Sequence, residues 1–137
     1  MQSQEFQKID FCGVWKNRDA ILKKTELPRF SAWWERLMEQ LRSVENPSLE
    51  TVAFAYAVTG DEDLGQKAIR MFREALPGYI PLGGAKEYYP ELEADLSTAS
   101  ACKTLAYAYS FLYPLLKSED KQAIFSEFRE RGGGVIY

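Results

Sequence analysis

From Arg29, the run RFSAWWERLMEQLRSVE places Phe30, Trp33, Trp34, Leu37, Met38 and Leu41 at three- and four-residue spacing. That period lays one apolar stripe along a helix, so it predicts an amphipathic helix in which Trp33 and Trp34 read as core residues, with glycan stacking as the alternative. Before it, Asp19 to Leu27 reads as a short helix that stops near Pro28, because proline disfavours helix in the residue before it. After it, Asn46-Pro47 offers a cap and a first-turn proline, opening a helix to about Thr59. Gly60 can end that helix in the left-handed conformation, and Asp61 can cap the next one, Asp61 to Leu76. Asp95 and Ser97 begin the longest apolar helix, to about Leu116. Ser118-Glu119-Asp120 opens a last helix that stops at Gly132-Gly133-Gly134. No window alternates polar and apolar residues as a half-buried strand would. The pattern predicts an all-α chain of five or six helices forming one domain over 1–137, with 1–24 as a less defined lead-in.

The helices repeat. TVAFAYAV from Thr51 matches TLAYAYSF from Thr104, and QKAIRMFREAL from Gln66 matches KQAIFSEFRER from Lys121. Thr51 and Thr104 are 53 residues apart, and Ala68 and Ala123 are 55 apart. Each unit is a helical hairpin with a small, aromatic-rich first helix, an acidic turn and an amphipathic second helix. The first helices are apolar around most of their circumference, which places them inside. The second carry Lys, Arg, Glu and Gln on one face, which places them outside. A period above 50 is too long for the roughly 34-residue tetratricopeptide unit. It suits the hairpins of an incomplete (α/α) toroid.

LETVAFAYAVTGDEDLGQKAIRMFREAL and ADLSTASACKTLAYAYSFLYPLLKSEDKQAIFSEFRERGG resemble the N-terminal helical region of heparinase II/III-like and alginate-lyase-like polysaccharide lyases. LPRFSAWWERLMEQL resembles their opening helix, so the likeness spans residues 25–137. The Tyr-x-x-Thr-Gly-Asp turn also recurs in α/α-toroid glycoside hydrolases. The resemblance implies the N-terminal part of a larger toroid, followed by a β-sandwich, that cleaves uronic-acid polysaccharides by β-elimination. It further implies a periplasmic or secreted parent protein. The family's catalytic Asn, His, Tyr and Arg lie beyond the matched region, so no catalytic residue is carried over. This segment would supply scaffold and groove wall.

Composition narrows the chemistry. The sequence has no histidine, which removes the commonest general base and metal ligand. A net charge of −3 argues against nucleic acid as a partner. No apolar run reaches about 18 residues, so no membrane-spanning segment is expected. Neither a metal nor another cofactor is expected. Asp61, Glu62 and Asp63 are consecutive, whereas a calcium loop spaces its oxygens over about twelve residues, so they read as helix-start acids. Cys12 and Cys102 match no metal spacing, and Cys102 reads as a buried free thiol.

The candidate ligand site lies in residues 77–94, PGYIPLGGAKEYYPELEA, which have no helical period. A loop of that length within a domain is more often functional than a short turn is. Lys86, Tyr88 and Tyr89 there can form a sugar platform with a cation for a carboxylate, or the tyrosines can pin the loop to the core. Asp95 reads as a helix cap that also rims the groove. The expected ligand is an acidic polysaccharide or oligosaccharide. The alternative is a helical-repeat module that pairs with a protein, with a second copy, or with the remainder of the toroid.

Overall fold

The computed structural model describes residues 8–10, 13–82, 87 and 94–132. Those residues are all-helical: α1 (Arg18–Thr25), α2 (Pro28–Ser43), α3 (Leu49–Thr59), α4 (Glu62–Ala75), α5 (Leu96–Leu112) and α6 (Ser118–Glu127). A 3₁₀ turn, Tyr113–Leu115, follows α5, and a π-helical turn, Phe128–Gly132, extends α6.

The helices pair as three hairpins. α3 packs against α1 and α5 to form one row, while α2, α4 and α6 each lie against the first helix of their own hairpin. Joined by short turns, the paired helices run antiparallel. The tight corners at 26–27, 60–61 and 113–117 therefore share one end, and the longer connections 44–48 and 76–95 share the other.

Sequence explains the central place of α3. Val52, Ala53, Ala55, Ala57 and Val58 are all completely buried, and the alanines let neighbouring backbones approach. α4 buries a single stripe, Leu64, Gly65, Ala68, Ile69 and Phe72. Gly65 is required by close approach: a β-carbon there would lie 2.7 Å from the Tyr56 ring and 2.9 Å from Leu115.

The corner Thr59-Gly60-Asp61 forms as its residues dictate. Gly60 takes φ 72°, and its amide donates to the Tyr56 carbonyl at 2.7 Å. Asp61 Oδ1 accepts from the amides of Asp63 and Leu64, capping α4.

Side chains from neighbouring helices satisfy other helix ends. Arg18 Nε donates to the Val58 carbonyl at the end of α3 (2.8 Å), and Lys67 Nζ donates to Leu41 and Val44 at the end of α2. In α2 and α4, an arginine in the last turn bridges to an acid at the start of the next outer helix. Arg42 meets Asp61 at 2.8 Å, and Arg73 grips Asp120 with two bonds of 2.8 and 2.9 Å.

Four expectations change. α3 starts at Leu49 with Ser48 extended, not at Asn46-Pro47, because the chain stays non-helical through 44–48 before turning inward. α5 stops at Leu112, since Pro114 has no amide and its ring cannot continue an α-helix. Lys117, not Ser118, holds the cap position of α6, where its amide donates to Asp120 at 2.9 Å. Trp33 is not a core residue. It is 60% exposed and Phe30 is 37% exposed, because both sit on the flank of α2 while Trp34, Met38 and Leu41 face inward.

Cys102 is a free, half-buried thiol whose pKa burial raises. Cys12 lies outside the described residues.

Candidate functional site

The end of the array that carries the long connections holds the candidate site. Of the residues singled out in sequence, Lys86, Tyr88 and Tyr89 lie outside the described residues. Asp95 caps α5: its Oδ1 accepts from the amides of Ser97 (2.7 Å) and Thr98 (3.2 Å), and Thr98 Oγ1 accepts in turn from the Asp95 amide. That reciprocal pair fixes where the chain enters α5.

The start of the long connection is tied down by three side chains. Glu127 of α6 is buried, and its oxygens accept from the amides of Gly78 (2.9 Å) and Ile80 (2.9 Å). Arg131 Nε donates to the Ile80 carbonyl at 2.9 Å, and Thr98 Oγ1 donates to the Pro81 carbonyl at 2.7 Å. Ile80 is completely buried between these bonds. Residues 78–81 therefore leave the core from a fixed position, with the amides of Gly78 and Ile80 and the carbonyls of Ile80 and Pro81 satisfied.

Sequence reading missed Glu127, Arg131 and Thr98. A signal for Glu127 existed: in the repeat it takes the place of Phe72, a completely buried ring. A carboxyl where the twin hairpin has an aromatic marks a buried polar group that needs donors.

Two hollows border this end. One, about 420 Å³, is lined by Asn46, Ser48, Met71, Glu74, Tyr79 and Thr104. It joins the α2–α3 connection, the end of α4 and the long connection, with hydroxyl and amide groups beside a phenol. Near it, Lys103 lies 3.4 Å from Glu50, which also accepts from Thr104 Oγ1.

The other, about 380 Å³, runs between α4 and α6 and is rimmed by Glu119, Asp120, Glu127 and Glu130, with Arg73. Four acids against one cation would repel a uronate chain there, whereas Glu74 is the one acid among the described residues lining the first hollow, so the first hollow is the better place for an anionic sugar.

Tyr56, Tyr107 and Tyr109 pack among the inner helices, as their positions predict. Tyr56 meets Trp15 edge-on at 6.2 Å, and Tyr107 stacks on Phe111 at 5.7 Å. Burial raises the hydroxyl pKa of Tyr56 and of Tyr109, so neither is poised as a proton acceptor near neutral pH.

Among the described residues, no group of three or more Cys, Asp or Glu side chains is arranged to hold a metal ion. No described helix is long and apolar enough to cross a membrane. Comparisons with protein-family models, with curated proteins and with solved structures found no match to this chain.

Proposed function

We propose that this chain is the N-terminal wall of an (α/α) toroid in a polysaccharide lyase that acts on uronic-acid glycans by β-elimination. In this role it positions substrate and does not abstract the proton. The observation that carries the reading is the anchored base of the long connection. Glu127, Arg131 and Thr98 fix residues 78–81 beside a hollow lined by Asn46, Ser48, Tyr79 and Thr104. A phenol face for a sugar ring, hydroxyl and amide partners for its hydroxyls, and Lys103, exchanging its contact with Glu50, for its carboxylate make up the chemical set. Lys86, Tyr88 and Tyr89 would extend it from the same connection.

The test has two parts. The protein containing this chain, incubated with alginate, heparan or chondroitin, should generate the ultraviolet absorbance of an unsaturated uronate. Absence of that product on every uronate polymer would overturn the lyase reading in favour of a hydrolase or a binding role. For the site, Tyr79→Ala and the Tyr88→Ala/Tyr89→Ala pair should each weaken binding of alginate oligosaccharides to the 137-residue chain. A drop in melting temperature with binding unchanged would show that these tyrosines only pack.

A second reading, a helical-repeat module that pairs with a protein, draws on one observation. Leu96, in the first turn of α5, is 89% exposed. Leu96→Ser should leave glycan binding intact under the first reading and abolish partner capture under the second.

A further inference from the structure

One feature outside the candidate site stands out, on the flank of α2. Leu27, Phe30 and Trp33 are spaced three residues apart and are 45%, 37% and 60% exposed. Trp33 lies one turn from Arg29 on one side and one turn from Arg36 on the other.

At about 100° per residue, Arg29 and Arg36 project within about 60° of Trp33, whereas Glu35 and Glu39 lie about 120° or more away. Arg42, which bridges to α4, projects opposite Trp33, so this flank faces away from the rest of the outer row. Arg29 is held over the Phe30 ring at 4.5 Å, and Trp33 leans on Trp34 with centroids 6.5 Å apart. Each ring thus has one neighbouring side chain against it. The two guanidinium groups flank the indole over a rise of about 10 Å along the helix.

We propose that this flank is a second binding site, for a linear acidic polysaccharide lying along α2. Trp33 stacks against one sugar ring while Arg29 and Arg36 pair with carboxylates on either side. Charge selects this occupant. An exposed indole between two cations on a chain of net charge −3 is a local positive strip, and it matches a polymer with regularly spaced negative charge. A bilayer fits less well. The apolar contribution is three partly exposed side chains, a small area to seat in a bilayer. The proposal rests on the uronate reading above for the ligand's identity. Its location is separate, because the start of α2 lies at the tight-corner end of the array and residues 78–81 lie at the other.

The experiment titrates the 137-residue chain with alginate oligosaccharides at low salt, with neutral dextran and with vesicles containing an anionic phospholipid as the other arms. Trp33→Ala should weaken alginate binding about tenfold, with an unchanged melting temperature, since the side chain is largely exposed. Arg29→Gln/Arg36→Gln should weaken it similarly and flatten its salt dependence. Equal binding by wild type and Trp33→Ala, or binding to vesicles but not to alginate, would overturn the site. Loss of binding in Tyr88→Ala/Tyr89→Ala with none in Trp33→Ala would leave the loop site standing and remove this one. The reverse pattern would do the opposite, and no alginate binding by the wild type would remove both.

Discussion

The second and third hairpins share a sequence pattern but use it differently. In α4 the repeat position is Phe72, which fills the core completely. In α6 the equivalent position is Glu127, equally buried, and its oxygens hold the backbone of residues 78–80. The inner helices differ in the same direction. α3 is enclosed by α1, α2, α4 and α5, while α5 keeps Ser97, Ala99, Ser100 and Lys103 exposed. The second hairpin is the packed centre; the third trades one ring for the anchoring of a connection. A repeat thus conserves a backbone arrangement while individual core positions are free to take on another task, provided their polar groups are satisfied.

The sharpest way to break this contrast is Phe72→Ala. Removing a fully buried ring should cost about 3–5 kcal/mol, read as a lower denaturant midpoint, and should loosen the whole array.

Glu127→Ala acts locally. It strips acceptors from the amides of Gly78 and Ile80 and should cost about 1–3 kcal/mol. Hydrogen exchange at Ile80 should rise while amides of α3 stay protected. Uniform acceleration across both hairpins would show that Glu127 is an ordinary core residue.

The inter-helix bridges grade the contrast further. Asp120→Asn removes the two-bond grip of Arg73 on a carboxyl that is 8% exposed, and should cost about 1–2 kcal/mol. Asp61→Asn keeps the cap and loses only the bridge to Arg42, which is 57% exposed, so about 0.5 kcal/mol is expected.

Both pairs carry a pH signature. Hydrogen bonds from Arg73 hold the Asp120 carboxyl below the usual aspartate range, and Arg42 does the same to Asp61. A depressed folded-state pKa stabilises the fold above the unfolded value near 4, and that contribution is lost as pH falls through the folded values. The stability gap between wild type and Asp120→Asn, measured by denaturant titration, should therefore shrink as pH drops from neutral to about 3. A constant gap would show that the carboxylate charge contributes nothing.

Much of the framework was legible because it is local. Gly60 in the left-handed region, Asp61 as a cap, the cap at Asp95 and the single stripe of α4 follow from steric preference, unsatisfied helix amides and a 3.6-residue period. The repeat assigned α3 and α5 to the inside for the same reason, since helices apolar on most sides have to be covered.

The candidate site was legible only in outline. The sequence pointed to residues 77–94, but Tyr79, Asn46, Ser48 and Thr104 meet only because two connections reach the face of the array where α5 carries Thr104. The sequence by itself thus determined the helices, the caps of α4 and α5 and the pairing into hairpins, because each depends on neighbours within one or two turns. Only the tertiary structure decided that Trp33 faces outward, that Glu127 replaces a ring to hold a connection, and that Gly65 admits the Tyr56 ring. Those outcomes depend on which residues distant in the chain arrive at the same place, and helical period carries no information about that.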